Sequence, residues 1–195
     1  MKKVNKIPNN QKVISINELK NLGYSYYMVN KLVEDNQLIR LNRKYYENVS
    51  FEGEDSDFYF VSAYFSSGTI CLMSAAVYYG LSTYIPYEID VAVKRDKKIV
   101  TKFDWPKFKI YYFGENRFNI GIDIISDGKN QFQIYDLEKT VIDIIYYRNK
   151  VGIEEMKEIL INYLKRNDRD LTKLYQYAKQ LKCLEVLKLY MDVLV

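Results

Sequence analysis

No histidine occurs in the 195 residues, and its absence removes the side chain that most often acts as general base, proton shuttle or metal ligand near neutral pH. Ser-His-Asp triads, Cys-His pairs and HExxH metal sites are therefore excluded. Cysteine is almost absent as well. Cys71 and Cys183 lie far apart without CxxC spacing, so they make poor zinc ligands and read as two small buried hydrophobes. No Gly-rich phosphate loop is present, which leaves a nucleotide-binding motif without support. Apolar runs fall short of the roughly 20 residues that a membrane helix needs. The opening Met1-Lys-Lys-Val-Asn-Lys-Ile-Pro8 lacks the apolar core of a signal peptide. The expectation is a soluble cytoplasmic protein, not an enzyme, with no metal, no cofactor and no membrane partner.

What is abundant is tyrosine, at 20 residues, which suits strands, helix faces and wet interfaces but specifies no function alone. Charge is more informative once divided along the chain. Residues 1–50 carry nine lysines and arginines against four acidic residues, whereas the remainder carries 20 against 21. A small basic module joined to a near-neutral body is the pattern of a chain that meets a polyanion with one part only. The acidic stretch Glu52-Gly-Glu-Asp-Ser-Asp57 reads as the boundary. It divides the chain into an N-terminal domain at 1–55 and a second domain at 56–195.

In the first domain, Ser15-Ile-Asn-Glu18 fits a capping box, with the hydroxyl accepting from a free backbone N–H and the carboxylate reaching back to the cap. A short helix is expected to about Leu22, ended by Gly23. Ser25 caps a second helix, Tyr26 to about Asp35, with Val29, Leu32 and Val33 facing inward. Two helices joined by a tight glycine turn form a helix-turn-helix. Leu38 to Leu41, then Asn42 and Arg43, then Lys44 to Tyr46 read as two short strands across a basic turn, a wing. The second helix turns Tyr27, Asn30, Lys31 and Glu34 outward, with Tyr26 at the edge. Asn30 suits an adenine edge, Lys31 guanine or phosphate, and Tyr27 a thymine methyl or phosphate. Arg40, Arg43 and Lys44 suit phosphate or the minor groove. The candidate DNA contacts are thus Ser25, Tyr26, Tyr27, Asn30, Lys31, Arg40, Asn42, Arg43 and Lys44.

The second domain alternates helix and strand. Helices are expected from a Ser56 cap through Tyr64 and over Leu72–Tyr79, with strands over Ile89–Val93 and Phe108–Phe113. Asp127-Gly128 marks a hairpin between Ile120–Ile125 and Gln131–Ile134. Three helices follow: Asp136 to Arg148, Glu154 to Arg166, and Leu171 to Val195 with a break near Cys183. Their inward stripes are Leu137, Val141, Ile144 and Ile145; Met156, Leu160, Tyr163 and Leu164; and Leu171, Leu174, Tyr175, Ala178 and Leu181. The fold class is α+β: a winged helix-turn-helix followed by a mixed or antiparallel sheet covered by helices and ending in a helical segment. Asp136, Thr140, Asp143 and Tyr147 recur at helical spacing as a polar stripe. They serve either as an N-cap with buried hydrogen bonds or as a recognition surface. Glu88, Asp90, Lys94 and Asp123 are the residues from which a carboxylate-lysine magnesium site would have to be built. The Asp90-to-Lys94 spacing is not the Glu-x-Lys that such sites prefer, and alternation on a half-buried strand, which puts such polar residues on the wet face, accounts for them better.

Asn17-Glu-Leu-Lys-Asn-Leu-Gly23, Val33-Glu-Asp-Asn-Gln-Leu-Ile-Arg-Leu41 and Lys44-Tyr-Tyr46 resemble the opening module of the AbiEi-type antitoxins of abortive-infection (type IV) toxin–antitoxin pairs. Met73-Ser-Ala-Ala-Val-Tyr-Tyr-Gly-Leu81, Tyr87-Glu-Ile-Asp-Val-Ala-Val-Lys94 and Asp136-Leu-Glu-Lys-Thr-Val-Ile-Asp143 are similar to later motifs of that family, in the same order. Lys139 stands where the family usually has arginine, and the turn at Asn42 to Lys44 lacks its customary glycine. The resemblance implies a phage-resistance antitoxin that binds repeats in its own promoter and represses it. It also implies that a nucleotidyltransferase toxin is countered without a stable complex. The stoichiometry expected is a monomer in solution and two copies on double-stranded DNA. A ligand-responsive transcription factor and a nucleic-acid-modifying enzyme are the alternative classes.

Overall fold

The computed structural model describes residues 4–97, 99 and 105–194. The protein is a mixed α+β chain of two compact units, one formed by residues 1–66 with 125–132, the other by residues 67–124 with 133–195. The first unit thus extends through Ser66, past the acidic stretch, and takes in a distant hairpin tip. Among the described residues no helix is long and apolar enough to cross a membrane.

The first unit begins with β1 (Val13–Ser15) and α1 (Ile16–Asn21). Ser15 and Glu18 form the expected capping box, and Gly23 follows the helix with φ +100°. Ser25 then caps α2 (Tyr26–Glu34) by accepting from the Met28 N–H. Two short strands, β2 (Leu38–Arg40) and β3 (Tyr45–Asn48), complete an antiparallel sheet ordered β1-β3-β2. β1 is an addition to the elements expected from the sequence, too short for alternation to announce. It places Ile14 opposite Tyr46, and these two close a small core with Ile16, Leu19, Val29 and Leu38. The helix expected from Ser56 to Tyr64 divides into a 3₁₀ turn (Asp57–Phe60) and α3 (Val61–Tyr64). Asn130 of the hairpin tip accepts from the Lys12 N–H at 2.6 Å and donates to the Asn10 carbonyl at 3.2 Å.

The second unit opens on β4 (Thr69–Ile70), α4 (Leu72–Tyr78), β5 (Ile89–Lys94), β6 (Phe108–Phe113) and α5 (Glu115–Phe118). The hairpin strands β7 (Ile122–Asp127) and β8 (Asn130–Tyr135) follow, and the five-stranded sheet is ordered β6-β5-β4-β8-β7. It is mixed: β5 runs parallel to β6, β4 parallel to β8, and β4 antiparallel to β5. The remaining helices are α6 (Leu137–Tyr146), α7 (Arg148–Val151), α8 (Ile153–Leu164), α9 (Leu171–Gln180) and α10 (Leu184–Leu194). α6 packs against α4, α8, α9 and α10, so every residue from Leu137 to Ile145 is buried.

One expected stripe needs correction. In α9, Leu174, Ala178 and Leu181 face the core, but Leu171 and Tyr175 are exposed at 37% and 36%. Tyr175 lies about 100° round the helix from Leu174, and Leu171 is the first residue of the helix, where the neighbouring surface has ended. The break near Cys183 is observed, with Lys182 in the left-handed region at φ +55°.

Candidate functional site

The face of α2 left open by Val29 carries four of the nine proposed DNA contacts, Tyr26, Tyr27, Asn30 and Lys31. Tyr26 and Tyr27 are exposed at 59% and 78%. Tyr26 is not free, however: the Lys20 ammonium donates to its hydroxyl at 2.9 Å and sits 4.2 Å from its ring centroid. Asn30 is also held, its Oδ1 accepting from the Arg40 guanidinium at 2.7 Å, while Arg40 lies 5.6 Å from the Tyr46 ring. Helix and neighbouring strand therefore present one joined polar surface. Lys31, Arg43 and Lys44 are exposed and, among the described residues, make no ion pair. By contrast Lys12, another cation of this unit, is spent on Glu47 and Asp55 at 3.1 and 3.0 Å. Ser25 uses its oxygen as the α2 cap.

Asn42 has a different role from the one expected. Its Oδ1 accepts from the backbone N–H groups of Lys44 and Tyr45, and its Nδ2 donates to the Ala63 carbonyl at 2.9 Å. Both ends of the side chain are engaged, the oxygen in shaping the turn and the amide nitrogen in tying the turn to Ala63, so Asn42 holds the turn. This also explains the missing glycine. None of residues 41–44 has positive φ, and the asparagine side chain supplies the bonds that hold the turn. Sequence reasoning missed Lys20 and Tyr46, whose roles depend on how α1 and β3 are brought beside α2 and β2.

The polar stripe of α6 is interior, not a recognition surface: Asp136, Thr140 and Asp143 are 5%, 0% and 0% exposed. Asp136 caps α6 by accepting from the Lys139 N–H, and its second oxygen accepts from the Tyr177 hydroxyl at 2.8 Å and pairs with Lys173 at 3.1 Å. Thr140 donates to the Tyr135 carbonyl at 3.2 Å. Asp143 is bracketed by Lys139 and Arg117, whose guanidinium also donates to the Leu181 carbonyl. Burial lowers the Lys139 pKa, opposed chiefly by the Asp143 charge. Glu138 is satisfied by Lys173, the Tyr163 hydroxyl and the Asp170 N–H. Gly121 completes the arrangement. It has φ +70°, and a Cβ there would lie 2.7 Å from the Lys139 Cβ and 2.8 Å from Asp136 Oδ2. Tyr147, half-buried, instead stacks on Phe113 at 5.5 Å.

Glu88 and Asp90 line a cavity of about 260 Å³ with Lys109, Tyr111, Lys150 and Glu155 among its walls. The other two residues of the suggested metal site are elsewhere. Lys94 sits 5.6 Å from the Phe118 ring, and Asp123 is exposed, its carboxyl pushed up by partial burial and then by Asp136. Among the described residues no group of three or more histidine, cysteine or acidic side chains could hold a metal ion. Asp90 is structural, because its Oδ2 accepts from the Met73 N–H at 3.1 Å while its own N–H donates to Ser74 Oγ at 2.8 Å. It joins β5 to the start of α4. Burial pushes its pKa up to about 6, against the pull of Lys109 and the Met73 and Ser74 bonds. Lys109 was illegible as a neighbour because parallel pairing, not sequence spacing, sets it beside Asp90. Cys71 and Cys183 are both buried and free. No protein-family model matches the sequence, and no curated protein matches it either.

Proposed function

We propose that the first unit is a winged helix-turn-helix, with α2 as recognition helix and the β2–β3 hairpin as wing, and that the chain is a DNA-binding repressor. The observation that carries this reading is the joined surface of Asn30, Arg40 and Lys31 on one exposed face. Arg40 orients the Asn30 amide but uses only one lone pair of its oxygen. The other lone pair and the Nδ2 donors are left for the N6 and N7 edge of an adenine. Lys31, Arg43 and Lys44, without carboxylate partners among the described residues, supply the positive charge that a phosphate backbone attracts. Tyr27 adds an amphipathic ring at the helix tip.

The second half of the reading rests on the sequence resemblance: the chain is a cytoplasmic antitoxin that represses its own operon at promoter repeats and counters a nucleotidyltransferase toxin without a stable complex. The two activities should separate. Lys31→Ala with Arg43→Ala is expected to abolish repression of a promoter reporter, with the thermal unfolding midpoint unchanged. Cells carrying this variant should still survive induction of the adjacent toxin from an independent promoter. Death of those cells would mean that neutralisation needs DNA binding, and unaltered repression would remove α2 and the wing from the DNA.

A further inference from the structure

Three concavities of the second unit run into one another. The cavity at Asp90 shares Lys109, Tyr111 and Lys150 with a more open one that takes in Tyr112 and Tyr147. That one shares Tyr147 with a third, to which Arg95, Tyr146 and Lys182 contribute. Shared walls make them one groove, which follows β6, the edge strand of the sheet, and passes the end of α6.

Two properties distinguish this groove from ordinary surface. Its rings are presented to solvent, with Tyr112 43% and Tyr146 47% exposed, and Tyr147 is fixed in orientation by its near-parallel stack on Phe113. Its cations are unspent. Lys109, Lys150, Arg95 and Lys182 are exposed and, among the described residues, make no ion pair, whereas Lys139, Lys173 and Arg117 of the same unit are all paired. In a unit whose sequence holds 19 basic and 16 acidic residues, these cations stand without carboxylate partners beside a row of rings. Lys109 and Lys150 lie 5.6 Å from the ring centroids of Tyr111 and Tyr147, so charge and ring alternate. Three of the four acidic residues along the groove, Glu88, Asp90 and Glu155, gather in the cavity at one end, and Glu115 stands at the other.

We propose that this groove binds a single-stranded nucleic acid. Unpaired cations track the phosphates and Tyr112 offers a face on which a base stacks, while Tyr146 already carries the Arg117 guanidinium 3.7 Å from its ring centroid. Cations beside a stacking ring are the combination by which single strands are held with little sequence preference. A duplex cannot use the rings, because its bases already stack on one another. At the Asp90 end the cavity, whose walls carry the three carboxylates together with Lys109 and Lys150, takes one base. A volume of about 260 Å³ lies just under the roughly 300 Å³ at which pockets for drug-sized ligands begin. Its carboxylates accept from exocyclic amino groups, as acidic side chains do from cytosine N4. Asp90 already serves Met73, so Glu88 and Glu155 are the free acceptors, and cytosine is favoured over uracil or thymine. The proposal concerns the second unit alone and does not depend on the duplex-binding reading of the first.

The test uses the full chain and fluorescently labelled 12-mers of oligo(C) and oligo(U), each as RNA and as DNA, followed by anisotropy. Saturable binding that weakens with salt is expected, tighter for oligo(C). RNA and DNA binding alike assigns recognition to charge and stacking, and preference for RNA adds the 2′-hydroxyl. Lys109→Ala with Lys150→Ala should weaken strand binding about tenfold or more, Tyr112→Ala by about tenfold, and the paired lysine-to-arginine variant should retain it. Glu88→Gln with Glu155→Gln should remove the preference for cytosine. Lys31→Ala with Arg43→Ala should leave strand binding unchanged. The proposal is overturned by absence of saturable binding, by strand binding that falls only with the Lys31 and Arg43 variant, or by cytidine monophosphate binding as tightly as the strand.

Discussion

The two units put the same side-chain types to opposite uses. In the first, the buried polar side chains among the described residues are the uncharged Gln11, Asn48 and Asn130, and the cations Lys31, Arg43 and Lys44 stand in solvent without ion-pair partners among the described residues. In the second, Asp136, Glu138, Lys139 and Asp143 are drawn into the most enclosed helix of the protein, each with a named partner. An unpaired exposed charge is available to a ligand. A buried paired one is not, and acts by restricting which packing satisfies it. Polar residues at helical spacing therefore mean different things on α2 and α6, and the deciding variable is how much of the helix surface neighbouring elements cover.

The comparison breaks most visibly if the α6 network is not interior. Asp143→Ala leaves Lys139 and Arg117 without their shared carboxylate, and removing one member of a buried ion pair costs about 3–5 kcal/mol. Urea denaturation should register that loss. A change below about 1 kcal/mol would place Asp143 in effect at the surface.

A smaller effect sharpens the point through pH. Asp90 has its folded pKa raised to about 6, above the ordinary carboxyl value, so its protonated form favours folding. The stability it contributes is full below about pH 4, and is lost as pH rises through about 6. Asp90→Asn keeps an oxygen for the Met73 N–H and cannot ionise. Its stability relative to the parent protein should therefore improve between pH 4 and 7.5 by something on the order of 2–3 kcal/mol. A difference independent of pH would mean that Asp90 is not titrating in its buried position.

Local signals in the sequence reported local structure well. The Ser15–Glu18 capping box, the Ser25 cap, the Asp127-Gly128 turn and the break before Leu184 are each written in a few adjacent residues and are each observed. Two short strands without a turn signal beside them are illegible: β1 and β4 exist because partners distant in sequence pair with them. The same limit governed the candidate sites. The residues that open α2 to solvent followed from helical period alone. By contrast, the partners that turn Asp136 and Asp143 inward, namely Tyr177, Lys173 and Arg117, come from α9 and α5, and no spacing rule connects them. At Asn42 the turn chemistry of asparagine is a stronger signal than the charge of its neighbours.

The central claim is that α2 reads duplex DNA through a base contact at Asn30 and charge at Lys31. It is tested most directly by titrating the full chain, Asn30→Ala, Lys31→Ala and Asn30→Ala with Arg40→Ala against a duplex selected from a random pool and a scrambled duplex, at several salt concentrations. Affinity of the parent protein should fall with salt at a slope of about −0.9 per phosphate neutralised. Asn30→Ala should cost about 1–3 kcal/mol on the selected duplex and little on the scrambled one. Lys31→Ala should weaken both and reduce the slope by about one unit. Because Arg40 holds Asn30, adding Arg40→Ala should cost less on the selected duplex than the sum of the single changes. A flat salt dependence, or an Asn30→Ala variant that binds both duplexes as the parent does, would contradict the account.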